Sequence, residues 1–214
     1  MSHRQLTVTA VGIVGGGPAG LLLSHLLSLC GIDSVVIDHR TRRDIAETVR
    51  AGILERDSVR LLVESGASDR VLTQGHEHAG ISLRFEGVSH RIDFQALVGE
   101  SVWLYPQNDV FVDLAETRER DGGDVRFGVS ETAVVDITTD QPGIMFTDDA
   151  GVPHEIRCAH LVGADGSRSI CRMQVPESKR RHYFREYPFA WFGILAEAPR
   201  SAPELIYTHS ERGF

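Results

Sequence analysis

Residues 11–20 read Val-Gly-Ile-Val-Gly-Gly-Gly-Pro-Ala-Gly, and no other stretch restricts the fold of this chain as much. The run from Leu6 to Val14 is rich in Val, Thr and Ile, the composition of a buried parallel strand. Gly15 permits a sharp turn out of that strand, because no side chain opposes the required dihedrals. Gly17 has no side chain to hold a diphosphate away from the backbone, and Gly20 lets the next helix lie close on the strand. That helix is predicted from Pro18 and Ala19 to about Cys30, with proline in its first turn and Gly31 as its stop. Its first N–H groups and its dipole suit a diphosphate. Ser34 to Ile37 forms the second strand, and Asp38 at its end can accept hydrogen bonds from a ribose diol. Strand, glycine turn, helix, strand and acid in this order form a site for the ADP half of a dinucleotide, FAD or NAD(P). The competing reading, a tight turn with no ligand, gives no reason for the acid at the strand end.

Leu21, Leu22, Leu23, Leu26, Leu27 and Leu29 make the helix apolar almost all round, with Ser24, His25 and Ser28 as exceptions. This predicts a helix buried against the sheet, too short for a membrane span of about 20 apolar residues. With 214 residues the chain suffices for one large domain, or one domain and part of another. Its 42% hydrophobic and 24% charged residues are ordinary for a soluble globular protein. A net charge of −8 argues against general nucleic-acid binding, which needs a basic face. The first residues lead straight into a strand without a signal peptide's apolar run, so a cytoplasmic protein is expected. Cys30, Cys158 and Cys171 are odd in number and widely spaced, which suggests neither a disulfide framework nor a metal cluster. His76 and His78 form an H-x-H that no Cys or carboxylate pattern completes. A solvated loop is expected there, and no metal site.

After Asp38 comes a basic stretch of His39, Arg40, Arg42 and Arg43, then Thr48-Val49-Arg50-Ala51-Gly52-Ile53-Leu54. Leu54 to Glu64 is predicted helical, with Leu54, Leu61 and Leu62 toward the core and Gly66 closing it. Ile81, Leu83 and Phe85 alternate, Glu86-Gly87 turns the chain, and Ile92 and Phe94 alternate again, as in an inserted β-hairpin. Val102 to Tyr105 is a strand ending at Pro106-Gln107, and Asn108 is expected to cap a helix running to about Arg120. Strands are expected at Val125–Phe127, Ala133–Ile137 and Ile144–Phe146, and a second layer at Phe189–Leu195 and Glu204–Tyr207. His160 to Ala164 forms an apolar strand that delivers Gly163-Ala164-Asp165-Gly166-Ser167-Arg168-Ser169, with Arg172 just beyond.

An apolar strand ending in Asp-Gly, far downstream of a glycine loop, resembles the second motif of the flavoprotein aromatic hydroxylases, the single-component FAD monooxygenases. The resemblance extends over nearly the whole chain. It includes Gly-Pro-Ala-Gly-Leu-Leu-Leu, Arg50-Ala51-Gly52, Tyr-Pro-Phe-Ala-Trp at 187–191 and Leu-Ile-Tyr at 205–207. The last two are its more specific parts. It implies an α/β fold: a Rossmann-like FAD-binding domain with an interleaved β-rich substrate layer, truncated at the C-terminus. The expected division is 1–77 for the FAD-binding βαβ unit, 78–100 for the inserted hairpin, 101–175 for the rest of the FAD-binding domain, and 176–214 for the start of the substrate sheet.

By this resemblance Gly15, Gly17, Pro18, Ala19, Gly20 and Asp38 hold the ADP part of FAD. Thr48, Arg50, Ala51, Gly52 and Ile53 run beside the flavin, with Arg50 near its pyrophosphate or ring. Gln107 hydrogen-bonds the cofactor, and Asp165 with Gly166 and Arg172 lies between the FAD and nicotinamide sites. Tyr207 hydrogen-bonds the substrate phenol and helps draw off its proton. The segment from His39 to Arg43 is either a site for the 2′-phosphate of NADPH or a solvated basic run. His39 stands where the family has arginine, and a mostly neutral imidazole is a weaker phosphate partner, which leaves NADPH and NADH both open. Trp191 and Phe192 either line the ring pocket or fill the core, and Tyr207 as a packing residue and Arg50 as a surface ion-pair partner are the alternatives to the roles above.

The implied activity is hydroxylation of a phenolic aromatic acid with NAD(P)H and O₂. 4-Hydroxybenzoate giving 3,4-dihydroxybenzoate comes first, a related aromatic acid second, and the full-length protein is expected as a homodimer. The other classes are a non-catalytic FAD-binding fragment and an NAD(P)-dependent dehydrogenase, the latter disfavoured by Asp165-Gly166. The chain ends inside the expected substrate sheet, so a piece of a longer enzyme is expected, with a natural short cofactor-binding protein as the alternative.

Overall fold

The computed structural model describes residues 4–190, 192–194, 197–199 and 201–214. The apolar run that begins the chain becomes β1 (Gln5–Val14), followed by α1 (Pro18–Leu29), β2 (Ser34–Asp38) and α2 (Arg42–Glu47). Next come β3 (Ile53–Glu55), α3 (Arg56–Glu64), α4 (Arg70–Gln74), β4 (His76–His78), β5 (Gly80–Phe85), β6 (Val88–Asp93), α5 (Phe94–Val98) and β7 (Val102–Leu104). The remainder supplies α6 (Gln107–Arg120), β8 (Asp124–Phe127), β9 (Ser130–Val135), β10 (Gly143–Thr147), β11 (Pro153–Gly163), α7 (Ile170–Gln174) and β12 (Leu205–Thr208). The chain forms two compact units, one of residues 1–76 and 103–175 and one of residues 77–102 and 176–214.

The first unit is built on a six-stranded sheet of order β8-β2-β1-β11-β10-β9. β8, β2, β1 and β11 are parallel, while β10 and β9 extend the sheet antiparallel. β1 runs beside β11 along its whole length, from Gln5↔His154 to Val14↔Gly163. That register brings the glycine turn and Asp165 to the same end of the sheet, although the two lie far apart in sequence. β2 joins β1 only from Val11 onward, so Leu6 and Val8 stay exposed where burial was expected. From Val11 on, alternate residues enter two cores. Val11, Ile13 and Val36 pack with Leu21, Leu62, Phe111 and Leu114, while Val14, Val35 and Ile37 pack with Ile144, Phe146 and Ile156.

α1 corrects the expectation drawn from its leucines. Its fully buried side chains include Ser24 and His25, whereas Leu29 is 59% exposed. Ser24 Oγ meets Ser34 Oγ at 2.9 Å and His25 Nε2 lies 2.9 Å from the Ser65 carbonyl, while His25 Nδ1 has no hydrogen bond and lies 3.7 Å from an Asp121 carboxylate oxygen. α3 begins at Arg56, because Leu54 belongs to β3, and it buries Val59 and Leu62 while Leu61 faces outward. α6 begins at Gln107 with Pro106 at its N-cap, so Asn108 sits inside the first turn and does not cap it. The fixed φ of Pro106 suits that entrance without a side-chain acceptor. β11 begins at Pro153, well before the expected start at His160, because β10 pairs with its first half. His76 and His78 lie on β4, where His78 is buried, and not in a solvated loop.

In the second unit β5 and β6 form the expected hairpin. Positive φ at both Glu86 and Gly87 gives the turn whose twist matches that of the strands. β12 adds parallel to β5, and Arg91 of β6 clamps Glu204 at 2.8 and 2.9 Å. Phe94 does not continue the strand. Asp93 accepts from the Ala96 N–H at 2.9 Å and caps α5, which starts at Phe94. Residues 189, 190 and 192–194 of the expected strand Phe189–Leu195 have no strand conformation, and Trp191 and Leu195 lie outside the described residues. Among the described residues no helix is long and apolar enough to cross a membrane, and no group of three or more His, Cys, Asp or Glu could hold a metal ion.

Candidate functional site

The ends of β1, β2 and β11 open into a cavity of about 850 Å³. Gly15, Gly17, Pro18, Ala19, Asp38, His39, Thr48, Arg50, Gln107, Asp165 and Gly166 line it. The crevice beyond the carboxyl ends of parallel strands is where α/β sheets bind nucleotides. Gly15 has φ +113°, and a Cβ there would lie 2.3 Å from the Ala164 carbonyl oxygen, so both dihedral and space demand glycine. A Cβ on Gly20 would fall 1.9 Å from the Gly15 oxygen, which is how closely α1 approaches the turn. A Cβ on Gly17 would meet nothing within 4 Å. Gly17 is also the N-cap of α1 and supplies no side-chain acceptor to the first-turn N–H groups. Those donors suit the diphosphate of a dinucleotide.

Asp38 is 4% exposed and heavily engaged. Its Oδ2 accepts from the Gly16 N–H at 2.8 Å, and its Oδ1 from the Arg40 N–H at 2.8 Å. The Arg40 guanidinium adds bonds of 3.1 and 3.0 Å to the two oxygens, and His39 Nδ1 lies 3.6 Å from Oδ1. The backbone bonds anchor the acid at the turn. A ribose diol would exchange its hydroxyls for the Arg40 side chain, since a carboxylate has about four acceptor sites. The rest of the basic stretch is the capped helix α2, in which Thr41 and Asp44 form a reciprocal capping box. Arg42 pairs with Glu119 at 2.8 Å and Arg43 with Glu47 at 2.7 Å.

Asp165 caps the start of α7, accepting from the N–H groups of Ile170 at 2.8 Å and Cys171 at 3.1 Å. Burial works against its charged form, but hydrogen bonds from Ser169 and from the backbone outweigh burial and hold the carboxyl below the usual aspartate range. Burial, then the Asp165 charge, push the neighbouring Cys171 thiol up to about 12. Arg172 donates its backbone N–H to Ser169 Oγ at 2.8 Å and its guanidinium to the Ser167 carbonyl, and it does not line the cavity.

Thr48 and Arg50 form one wall with Gln107, Asn108 and Phe111 at the start of α6. Gly20, Ala51, Gly52 and Ile53 are not among the lining residues. Tyr207 lies on β12 of the second unit, where its ring stacks on Phe214 at 5.6 Å. Ser130, Glu131 and Thr132 line the cavity without having been anticipated. Glu131 has φ 51°, unusual for a residue with a side chain, and its carboxylate accepts from Thr147 Oγ1 at 2.8 Å. No residue pattern in the sequence announces that irregularity within β9. Arg168 and Ser167, quoted within the Asp-Gly motif, also line the cavity. The uncapped helix start, the open face of Gly17 and the strand-end acid fit the diphosphate and ribose of FAD.

The family model described as FAD binding domain matches residues 8–214. The p-hydroxybenzoate hydroxylase of Acinetobacter baylyi is 39% identical over 98% of this chain and 52% of its own length, so the chain spans about half of that relative. The crystal structure of p-nitrophenol 4-monooxygenase PnpA from Pseudomonas putida DLL-E4 shares the fold, with a TM-score of 0.66 at 23% identity over 79% of this chain and 43% of that one. The flavin-dependent monooxygenase PieE, crystallised with FAD and substrate, superposes with a TM-score of 0.61 at 26% identity over 78% of this chain and 32% of that one. A family match reaching from β1 to the last residue agrees with the cavity at the strand ends, and the chain belongs to the FAD-binding domain family.

Proposed function

We propose that the protein to which these residues belong is an FAD-dependent monooxygenase that hydroxylates a phenolic aromatic acid, with 4-hydroxybenzoate as the first candidate. The observation that carries this reading is the 39% identity to p-hydroxybenzoate hydroxylase over 98% of the chain. Bound FAD would supply the redox chemistry, taking electrons from NADPH or NADH and using them to activate O₂. The chain's own residues bind and orient. Gly17 and the start of α1 receive the diphosphate, Asp38 the ribose hydroxyls, and Arg50 and Gln107 the flavin side of the cofactor. Asp165 and Gly166 close the strand end next to it. Tyr207 hydrogen-bonds the substrate phenol and favours loss of its proton, so that the ring becomes electron-rich where oxygen is added. Three free cysteines and the use of a nicotinamide donor suit the cytoplasm.

The test is NAD(P)H oxidation by the full-length protein with and without 4-hydroxybenzoate, together with product analysis. Faster oxidation and release of 3,4-dihydroxybenzoate are expected, and Tyr207→Phe should retain NAD(P)H oxidation with a lower product yield. An oxidation rate indifferent to every phenolic acid would refute the hydroxylase reading. The second reading is an FAD-binding segment that does not turn over by itself, favoured by the span of 52% of the relative's length. FAD uptake without aromatic-stimulated oxidation in the 214-residue chain is its expected signature.

A further inference from the structure

Behind the wall that carries Arg50 and Gln107 lies a buried polar group that does not reach the cavity. Asp113, in the middle of α6, is 3% exposed, and Tyr105 is 1% exposed. The Tyr105 hydroxyl donates to Asp113 Oδ2 at 2.8 Å, and Arg70 of α4 bridges to the other carboxylate oxygen. Burial first, then the hydrogen bond and charge of Asp113, push the Tyr105 phenol well above its usual range, so it remains a donor. A carboxylate in a core is costly unless fully partnered, and an apolar group of the same shape would serve stability as well. Stability alone therefore does not account for it.

Tyr105 is where two wall segments meet. Its N–H donates to the Gly52 carbonyl at 2.8 Å. Its own carbonyl oxygen lies where a Gly52 Cβ would fall, 2.3 Å away, so the two backbones touch. Arg50 stands just before Gly52, and Gln107 just after Tyr105 as the first residue of α6. We propose that Tyr105, held by Asp113 and Arg70, is a positioning residue that sets the spacing of Arg50 and Gln107 along the wall facing FAD. The proposal rests on FAD occupying this cavity. A binding group is only as well placed as the shell that supports it, and here that shell is one hydroxyl, one carboxylate and one guanidinium.

The test compares Tyr105→Phe with Thr117→Val in the purified protein, by FAD titration through flavin fluorescence and by thermal unfolding. Thr117 lies one turn further along α6 and donates to the Ala67 carbonyl at 2.6 Å, a buried bond unconnected with the wall. Tyr105→Phe is expected to weaken FAD binding roughly tenfold, the scale of one hydrogen bond to a charged group. Thr117→Val should lower the melting temperature and leave FAD affinity unchanged. Arg70→Gln, on the outer side of the network, should give a smaller loss of FAD affinity in the same direction and serves if Tyr105→Phe does not fold. Wild-type affinity in both Tyr105→Phe and Arg70→Gln would overturn the proposal, as would an equal loss in Thr117→Val. A wild-type protein that takes up no FAD would instead overturn the cofactor reading itself.

Discussion

Gly17 and Gly20 are three residues apart in one turn of chain, yet alanine at each should do opposite things. At Gly20 helix propensity alone favours alanine by about 1 kcal/mol. The structure reverses that sign, because the new Cβ would lie 1.9 Å from the Gly15 oxygen, and contacts under 3.0 Å are essentially never seen. The obstacle is backbone at the end of β1, so α1 itself must move away from the sheet. Overpacking of this kind costs about 1–3 kcal/mol, and a strand end that cannot rotate aside puts this site in the upper part of that range. A net loss of about 1–2 kcal/mol follows, with a melting temperature lower by roughly 2–8 °C. At Gly17 the backbone has φ −77°, which any residue adopts, and no atom lies within 4 Å of the added methyl. Gly17→Ala should therefore melt within about 1 kcal/mol of wild type, the loss of a glycine N-cap being offset by lower unfolded-state entropy. On the proposed reading its methyl would fill the space meant for the diphosphate, so FAD affinity should fall about tenfold or more, ~1.4 kcal/mol. Thermal unfolding followed by circular dichroism and FAD titration separate the two effects. Gly20→Ala as stable as wild type, or Gly17→Ala binding FAD as tightly as wild type, would refute the reasoning.

Replacing Asp38 with alanine strands the buried Gly16 N–H and the Arg40 guanidinium, so unfolding should become easier by about 1–3 kcal/mol and calorimetry should register weaker ADP binding. Asp38→Asn, which keeps one acceptor oxygen, should fall between, and an alanine variant as stable as wild type would contradict the anchoring role. Asp165 has its carboxyl depressed below the ordinary 3.8, so its contribution to stability is fully present above that pH and is lost as pH falls through the lower folded-state value. The stability gap between wild type and Asp165→Asn in urea should accordingly be constant from neutral pH down to about pH 5 and shrink below pH 4; a gap that widens in acid would reverse the assignment. Cys30 is exposed, whereas Cys158 is buried and the Cys171 thiol is pushed up to about 12. Ellman's reagent at neutral pH should titrate the Cys30 thiol in the native protein and the other two only on unfolding.

The glycine unit was readable because its demands are local. A φ of +113° at Gly15, a proline at the start of α1 and a polar residue closing β2 are properties of neighbouring residues. The hairpin at Glu86-Gly87 was readable for the same reason. Boundaries failed where a distant segment decided them. Leu54 was drawn into β3 although its residue type suits a helix, and the first half of β11 exists because β10 pairs with it. Ser24 and His25 are buried with hydrogen-bond partners at Ser34 and Ser65, which helical periodicity cannot reveal. Among the site residues, Asp38 and Asp165 announce themselves as acids at strand ends. Ser130–Thr132 carry no such mark and line the cavity only because the start of β9 lies beside it.

The sequence by itself determined that a strand, a tight glycine turn, a helix and an acid follow one another, since dihedral freedom, capping and hydrophobic period act within a few residues. Only the tertiary structure decided that β11 runs alongside β1, which brings Asp165 to the same end of the sheet as the glycine turn. The same is true of Tyr105 joining Gly52 to the start of α6. These are contacts between segments distant in the chain. Sheet order and packing choose among them, and neither is encoded in the residues on either side of a contact.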